Sequence, residues 1–440
     1  MGAAGALAAR LLAGAGLRVV GVEAGGWTPG EEHFKRSLPW ARRAADESAA
    51  APADPAPMVN AVGGSNHRSG RQSYRLDLEA MPRRWPLNTA ELVPYYERVE
   101  EAMTVQPSPP KKWTEAMRTA AVELDWEALA APVATAPPLG HAELDPLIAC
   151  GHLRVLTETI AVRLLCGDGG KAVGAEVRRA RGVDEPERIH ARRVILAAHT
   201  FENVRLLLLS RSATHPDGVG NSTGRVGAGF ATHNLLSVHG HFPGQDLARG
   251  SGAAGHAVAV LDFDRGDGSI LQAAMGASDP SRIAALTGLS AAAAHEVGLV
   301  WAQPEQAPRA TNRLDLDPSR VDPSGRPLLV ATLDLDDEDR RRADFLLARM
   351  AEWLGAAGAS RTWSATPRAN AISTHAYGGT EMGGDPVASV VDSFGEVHDA
   401  PGLFVVGGST FPATGGRGPT ETIEALAWRT ADRIAAELTD

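Results

Sequence analysis

The first 23 residues restrict the fold more than any other stretch of the chain. After Gly2, Ala3, Ala4 and Gly5, a run of small residues from Ala6 to Ala15 carries helical spacing and predicts a helix stopping at Gly14 and Gly16. Leu17 to Val22 then reads as a short buried strand, closed by Glu23 and the turn GGWTPG. Glycines at a helix start let the backbone approach a pyrophosphate, and an acid about 20 residues later accepts a hydrogen bond from a ribose hydroxyl. Helix, strand and acid are therefore the tail of a βαβ dinucleotide unit, although alone they also suit an Ala/Gly-rich helix with a close neighbour. The first glycine of such a fingerprint, and the strand before it, have no counterpart in the sequence. Gly2, Gly5 and Glu23 are expected to hold a dinucleotide well only behind that strand. Its loss would uncover apolar faces, a large cost beside a net stability of ~5–15 kcal/mol, so a truncated or misassigned start is the expectation.

Size and charge narrow the class. The chain has 440 residues, enough for two or three units at about 100–200 residues each, and its 44% hydrophobic and 22% charged residues suit a globular core. A net charge of −10, spread along the chain, argues against nucleic acid and anionic lipid as partners. The two cysteines, Cys150 and Cys166, stand in no metal-ligand or redox spacing, so no metal site is expected. No apolar run approaches the ~18 residues of a membrane span. The Ala-rich start lacks a basic leader and carries Arg10 inside the would-be apolar region, which reads as structure in a cytoplasmic protein.

The patterning predicts an α/β fold, α+β overall, in five segments. Residues 1–85 form the first part of a Rossmann-like dinucleotide domain, and 86–150 a helical connection with a polar helix over Thr89 to Met103. Residues 151–234 form the second part: strand patterns HLRVLTET, IAVRLLC, AVGAEVRRA and RRVILAA follow one another, and the last opens a helix at Asn203 to Ser210. Residues 235–370 alternate apolar and polar positions, with one amphipathic helix from Asp337 to Gly355. That pattern suits an antiparallel sheet with helices, the expected substrate domain. Residues 371–440 return to strand, glycine-rich turn and helix, with Ile423, Leu426, Ala427, Ile434 and Leu438 at helical spacing.

The sharpest signal is HAYGGTEMGGDPVASVVDSFGEVHDAPGLFVVGGSTFPATGGRGPTETIEALAWRTAD, His375 to Asp432. It resembles the C-terminal block of the glucose–methanol–choline (GMC) flavoproteins in register over nearly its whole length. AVGGSNHRSGRQSYRL resembles their glycine-rich flavin loop, RRVILAAHTFENVRLLLLS their second flavin-contacting strand and helix, and GNSTGRVGAGF the entry to the substrate domain. Bacterial sugar and polyol dehydrogenases look closest. The resemblance implies FAD as cofactor, an alcohol or sugar CH–OH group as substrate, and an acceptor that leaves no motif in the chain. It implies flavin contacts from Gly2, Gly5, Glu23, Gly63, Gly64, His67, Val162, Ala198, Gly408, Pro419 and Thr420. Hydride transfer from an alcohol needs a base against the departing hydroxyl proton, and His375 matches the family's histidine for that task.

The sequence departs from the family in four places. Gly418 stands where the family carries a second catalytic Asn or His, Arg68 where Trp is usual, Glu381 where Arg precedes the Met-Gly pair, and His199 where a small residue is common. Gly418, Arg68 and Glu381 together motivate a second expectation, a non-redox or lapsed flavin-fold protein, lyase-like or a binding module. His67 lies in the loop where some family members bond the flavin covalently. Pro419 and Glu421 are common helix-start choices, so Glu421 reads first as a helix-start acid, with Gly418 as the cap.

Overall fold

A computed structural model describes residues 1–28, 40–43, 51–52, 58–67, 71–78, 85–110, 112–182, 184–247, 256–263, 269–274, 280–306, 308–322, 324–365 and 373–439. The helices are α1 (Ala3–Gly14), α2 (Thr89–Met103), α3 (Lys112–Glu123), α4 (His141–Ala149), α5 (His199–Leu209), α6 (Pro280–Thr287), α7 (Asp337–Ala356) and α8 (Thr420–Thr439). α1 buries Ala4, Ala6, Leu7, Ala8, Ala9, Leu12 and Ala13. Small side chains on all sides let it pack against α8 on one flank and α4 on another, which is why this helix tolerates so little bulk. The expected strand after it runs from Val19 to Val22.

That strand pairs in parallel with Leu153–Leu156, and Val194–Leu196 pairs in parallel with Leu403–Val405. The two pairs do not bond to each other among the described residues. Val19–Val22 and Val194–Leu196 line one cavity. An antiparallel meander of Thr159–Cys166, Ala172–Arg179 and Glu187–His190 lies beside them. Both pairs are parallel, as strands joined by long connections and not by hairpins are able to be.

The second layer is an antiparallel sheet of six strands in the order Arg361–Ala365, Leu236–His241, Val297–Ala302, Leu271–Ala274, His256–Val260, Ala128–Ala130. α7 and α3 cover one face. Leu346, Met350 and Trp353 of α7 pack with Trp113 and Met117 of α3 and with Val238 and Val300 of the sheet. Trp353 is fully buried and its Nε1 donates to the Met117 carbonyl at 2.8 Å. The chain between α2 and α4, from Lys112 to Ala130, therefore supplies a helix and an edge strand to this layer. A further sheet joins Arg313–Val321, Pro327–Thr332, Trp40–Arg43 and Ala51–Pro52. Arg205 of α5, 1% exposed, reaches Asp322 Oδ2 at 2.9 Å and the Pro327 carbonyl, tying the dinucleotide layer to that sheet. Among the described residues no helix is long and apolar enough to cross a membrane.

Candidate active site

A cavity of about 1900 Å³ runs between the two layers. One end is built by the start of α1, where the amides of the first turn have no capping side chain and no acid competes for them. Such a terminus favours an anion. Close approach is enforced here by missing side chains: a Cβ on Gly64, which has φ +56°, would stand 2.6 Å from Gly2 Cα, and one on Gly5 would stand 3.2 Å from Ala197 Cβ. Glu23 closes the strand at the cavity wall. Its Oε1 accepts from the Gly25 amide at 2.8 Å.

Gly2, Gly5, Glu23, Gly64, Ala198, Gly408, Pro419, Thr420 and His375 all line this one cavity. Gly63, His67 and Val162 do not. His67 Nε2 lies 2.7 Å from the Val62 carbonyl, engaged within its own loop, and Val162 sits between Ala161 and Leu164, which do reach the cavity. Arg68 lies outside the described residues. His199 lines the cavity with a left-handed backbone, φ +69°, and burial pushes its imidazole down to about 4. α8 starts one residue later than read from sequence. The Pro419 carbonyl accepts from the Ile423 amide at 2.9 Å, so Pro419 is the cap and Gly418 precedes it.

The other end of the cavity holds the chemistry. His375 follows Ser373, whose hydroxyl accepts the His375 amide at 3.1 Å, and precedes the short strand Ala376–Tyr377, which pairs with Ala231–Thr232. This pairing brings in His233, which the sequence did not single out. His233 Nδ1 lies 3.0 Å from His375 Nδ1, and His233 Nε2 lies 2.7 Å from Thr414 Oγ1. Burial pushes His375 down to about 4 and holds His233 well below the usual imidazole range, so both are neutral near pH 7. His375 lines the cavity, and among the described residues no hydrogen bond engages its Nε2. Gln72, Trp301, Gln303 and Gly418 line the same cavity, and among the described residues a Cβ added at Gly418 would meet the Gln72 carbonyl at 3.9 Å and Gln303 Nε2 at 4.0 Å. A neutral base facing amide and indole groups across an open cavity suits deprotonation of a hydroxyl-bearing ligand.

A family model described as GMC oxidoreductase matches residues 308–427, and one described as FAD binding domain matches residues 1–239, more than half of the chain. The chain belongs to the GMC oxidoreductase family. Paromamine 6'-oxidase of Streptomyces fradiae is 28% identical over 417 residues, covering 83% of this chain and 74% of its own. The 2-methyl-1,2-propanediol dehydrogenase of Mycolicibacterium austroafricanum is 30% identical over 296 residues, 62% of this chain and 52% of its own. A solved structure of pyridoxine 4-oxidase from Mesorbium loti has the same fold, with a TM-score of 0.74 at 17% identity over 98% of this chain and 97% of that one. As a GMC protein the chain is a flavoprotein oxidoreductase with FAD as cofactor. The uncapped start of α1 and the glycine contact at Gly2 and Gly64 fit the pyrophosphate of that group.

Proposed function

We propose that this GMC protein oxidises a CH–OH group of a sugar, polyol or related alcohol. The observation that carries the reading is His375, a neutral imidazole in the cavity wall whose Nδ1 is engaged by His233 and whose Nε2 has no hydrogen-bond partner among the described residues. Bound FAD supplies the hydride acceptor. His375 takes the hydroxyl proton on Nε2, while Gln72, Trp301 and Gln303 offer hydrogen bonds to further hydroxyls on the substrate. Relatives named for paromamine and for 2-methyl-1,2-propanediol support a hydroxyl-bearing substrate of this kind. The cytoplasm is the compartment we assign, on the two free cysteines, Cys150 and Cys166. Recovery of the chain from a secreted or periplasmic fraction would overturn that assignment.

The direct test is anaerobic mixing of the FAD-loaded protein with a panel of sugars, aminosugars and polyols while the flavin absorbance is followed. Bleaching by at least one compound is expected, and His375→Gln should slow it by ~10²–10⁴, the usual weight of a positioned acid–base group. A panel that leaves the bound flavin oxidised would sink the reading and favour a non-redox role.

A further inference from the structure

We propose that His233 is a positioning residue, the last link of a hydrogen-bond chain that begins at the Gln306 carbonyl and holds His375 in its proton-accepting tautomer. The inference rests on the oxidation reading for its purpose, but its geometry stands apart from it. Two imidazole nitrogens 3.0 Å apart share a single proton, because two N–H groups would collide and two lone pairs would repel. The tautomers of His233 and His375 are therefore locked together. Either His375 donates from Nδ1 and keeps a bare Nε2, or His233 donates and His375 carries its proton on Nε2, where it cannot serve as a base.

The far end of the chain selects between these states. The Tyr377 hydroxyl donates to the Gln306 carbonyl, which has no hydrogen to give in return. Having given its proton there, the Tyr377 oxygen is left as an acceptor toward the Thr414 hydroxyl, which acts to lower the phenol's pKa against the upward push of burial. Thr414 Oγ1 then accepts from His233 Nε2 at 2.7 Å. With its proton on Nε2, His233 presents a lone pair on Nδ1, and His375 must donate to it. The Thr414 amide, bonded to Glu305 Oε1 at 2.8 Å, fixes that hydroxyl in place. The rings of His233 and His375 meet edge to face, 87° apart with centroids 5.1 Å apart, and the His233 ring also lies 5.6 Å from that of Tyr377. Once the substrate O–H bond breaks and Nε2–H forms, the Nδ1–H bond to His233 becomes charge-assisted and strengthens as the imidazolium appears. His233 thus does with a neutral ring what a carboxylate does behind the histidine of a catalytic triad.

Two variants and two readouts test this. His233→Asn keeps an acceptor oxygen close to the position of Nδ1, whereas His233→Leu removes it. With a substrate that bleaches the wild-type flavin, His233→Leu is expected to lower the reduction rate by about 10²-fold or more, with KM little changed, and His233→Asn to stay within about tenfold of wild type. In [15N]histidine-labelled FAD-loaded protein, the His375 signals, identified by their loss in His375→Gln, should show a protonated Nδ1 and a bare Nε2. In His233→Leu that pattern should give way to mixed tautomers. A wild-type His375 protonated on Nε2, or a His233→Leu protein that binds FAD and reduces it at the wild-type rate, overturns the proposal. A protonated Nδ1 in a protein whose flavin no alcohol reduces supports the chain of hydrogen bonds and overturns the oxidation reading alone.

Discussion

Glu421, in the first turn of α8, shows how a single residue changes meaning between sequence and structure. An acid at a helix start is favoured by the macrodipole in its charged form, and the sequence supports that reading. In the fold Glu421 is fully buried, with Glu100 of α2 beside it. Burial, reinforced by Glu100, pushes its carboxyl up to about 8, while Arg75, at 2.6 and 2.7 Å from the two Glu100 oxygens, holds Glu100 below the ordinary carboxylate range. Desolvation outweighs the helix dipole here because the dipole is worth about 1 kcal/mol and a buried unpaired charge costs several. A carboxyl raised from 4.5 on folding contributes stability that is complete below 4.5 and is lost as pH rises through about 8. Glu421→Gln, which stays neutral throughout, is therefore expected to melt higher than wild type by an amount that grows from pH 5 to pH 9. A difference in Tm that is flat across that range would contradict the buried carboxyl. Nothing local in the sequence could have placed Glu100 opposite Glu421, since the two are brought together by the packing of α2 on α8. His233 escaped notice for the same reason: a lone histidine after a two-residue strand has no spacing that connects it with His375.

Elements were more legible where one periodicity governs a whole segment. α2 spans Thr89–Met103 as its pattern predicts, and α7 runs one residue past the expected Gly355. α5 begins four residues before the expected Asn203. Asn203 is buried inside it, accepting from the Ala198 amide at 2.8 Å and donating to Ser409 Oγ at 3.0 Å, so a residue that usually marks a helix start serves a tertiary contact instead. The parallel strands carry the element-scale prediction. The Val19 and Glu23 amides donate to the His152 and Leu156 carbonyls, and the Val194 amide to the Gly402 carbonyl, which turns the amides of Val20, Val22 and Ile195 toward the cavity. Hydrogen exchange should be slow at Val19, Gly21 and Val194 and fast at Val20, Val22 and Ile195. Slow exchange at Val20 and Ile195 would mean that another strand bonds to those edges.

At the scale of the molecule, one cavity takes its walls from residues near both ends of the chain and from its middle, so a cofactor bound there would bridge segments far apart in the chain. Binding to the folded state alone stabilises it by mass action, about 2.7 kcal/mol when free FAD is 100 times its Kd. Saturating FAD should therefore raise the Tm of the apoprotein by several degrees in a tryptophan-fluorescence melt, and an unchanged Tm would show that the cavity does not hold the group. The sequence by itself determined the layer types and the helix and strand around Gly2, Gly5 and Glu23, and it pointed to His375 through a long ordered block, because each depends on periodicity or on residues close along the chain. Only the tertiary structure decided which loop residues face the cavity, that His67 is turned into its own loop, and that His233, 142 residues from His375, sits behind it. Those outcomes depend on contacts between distant segments. A contact between distant segments is fixed by how whole layers pack, and no local pattern of residue types carries that information.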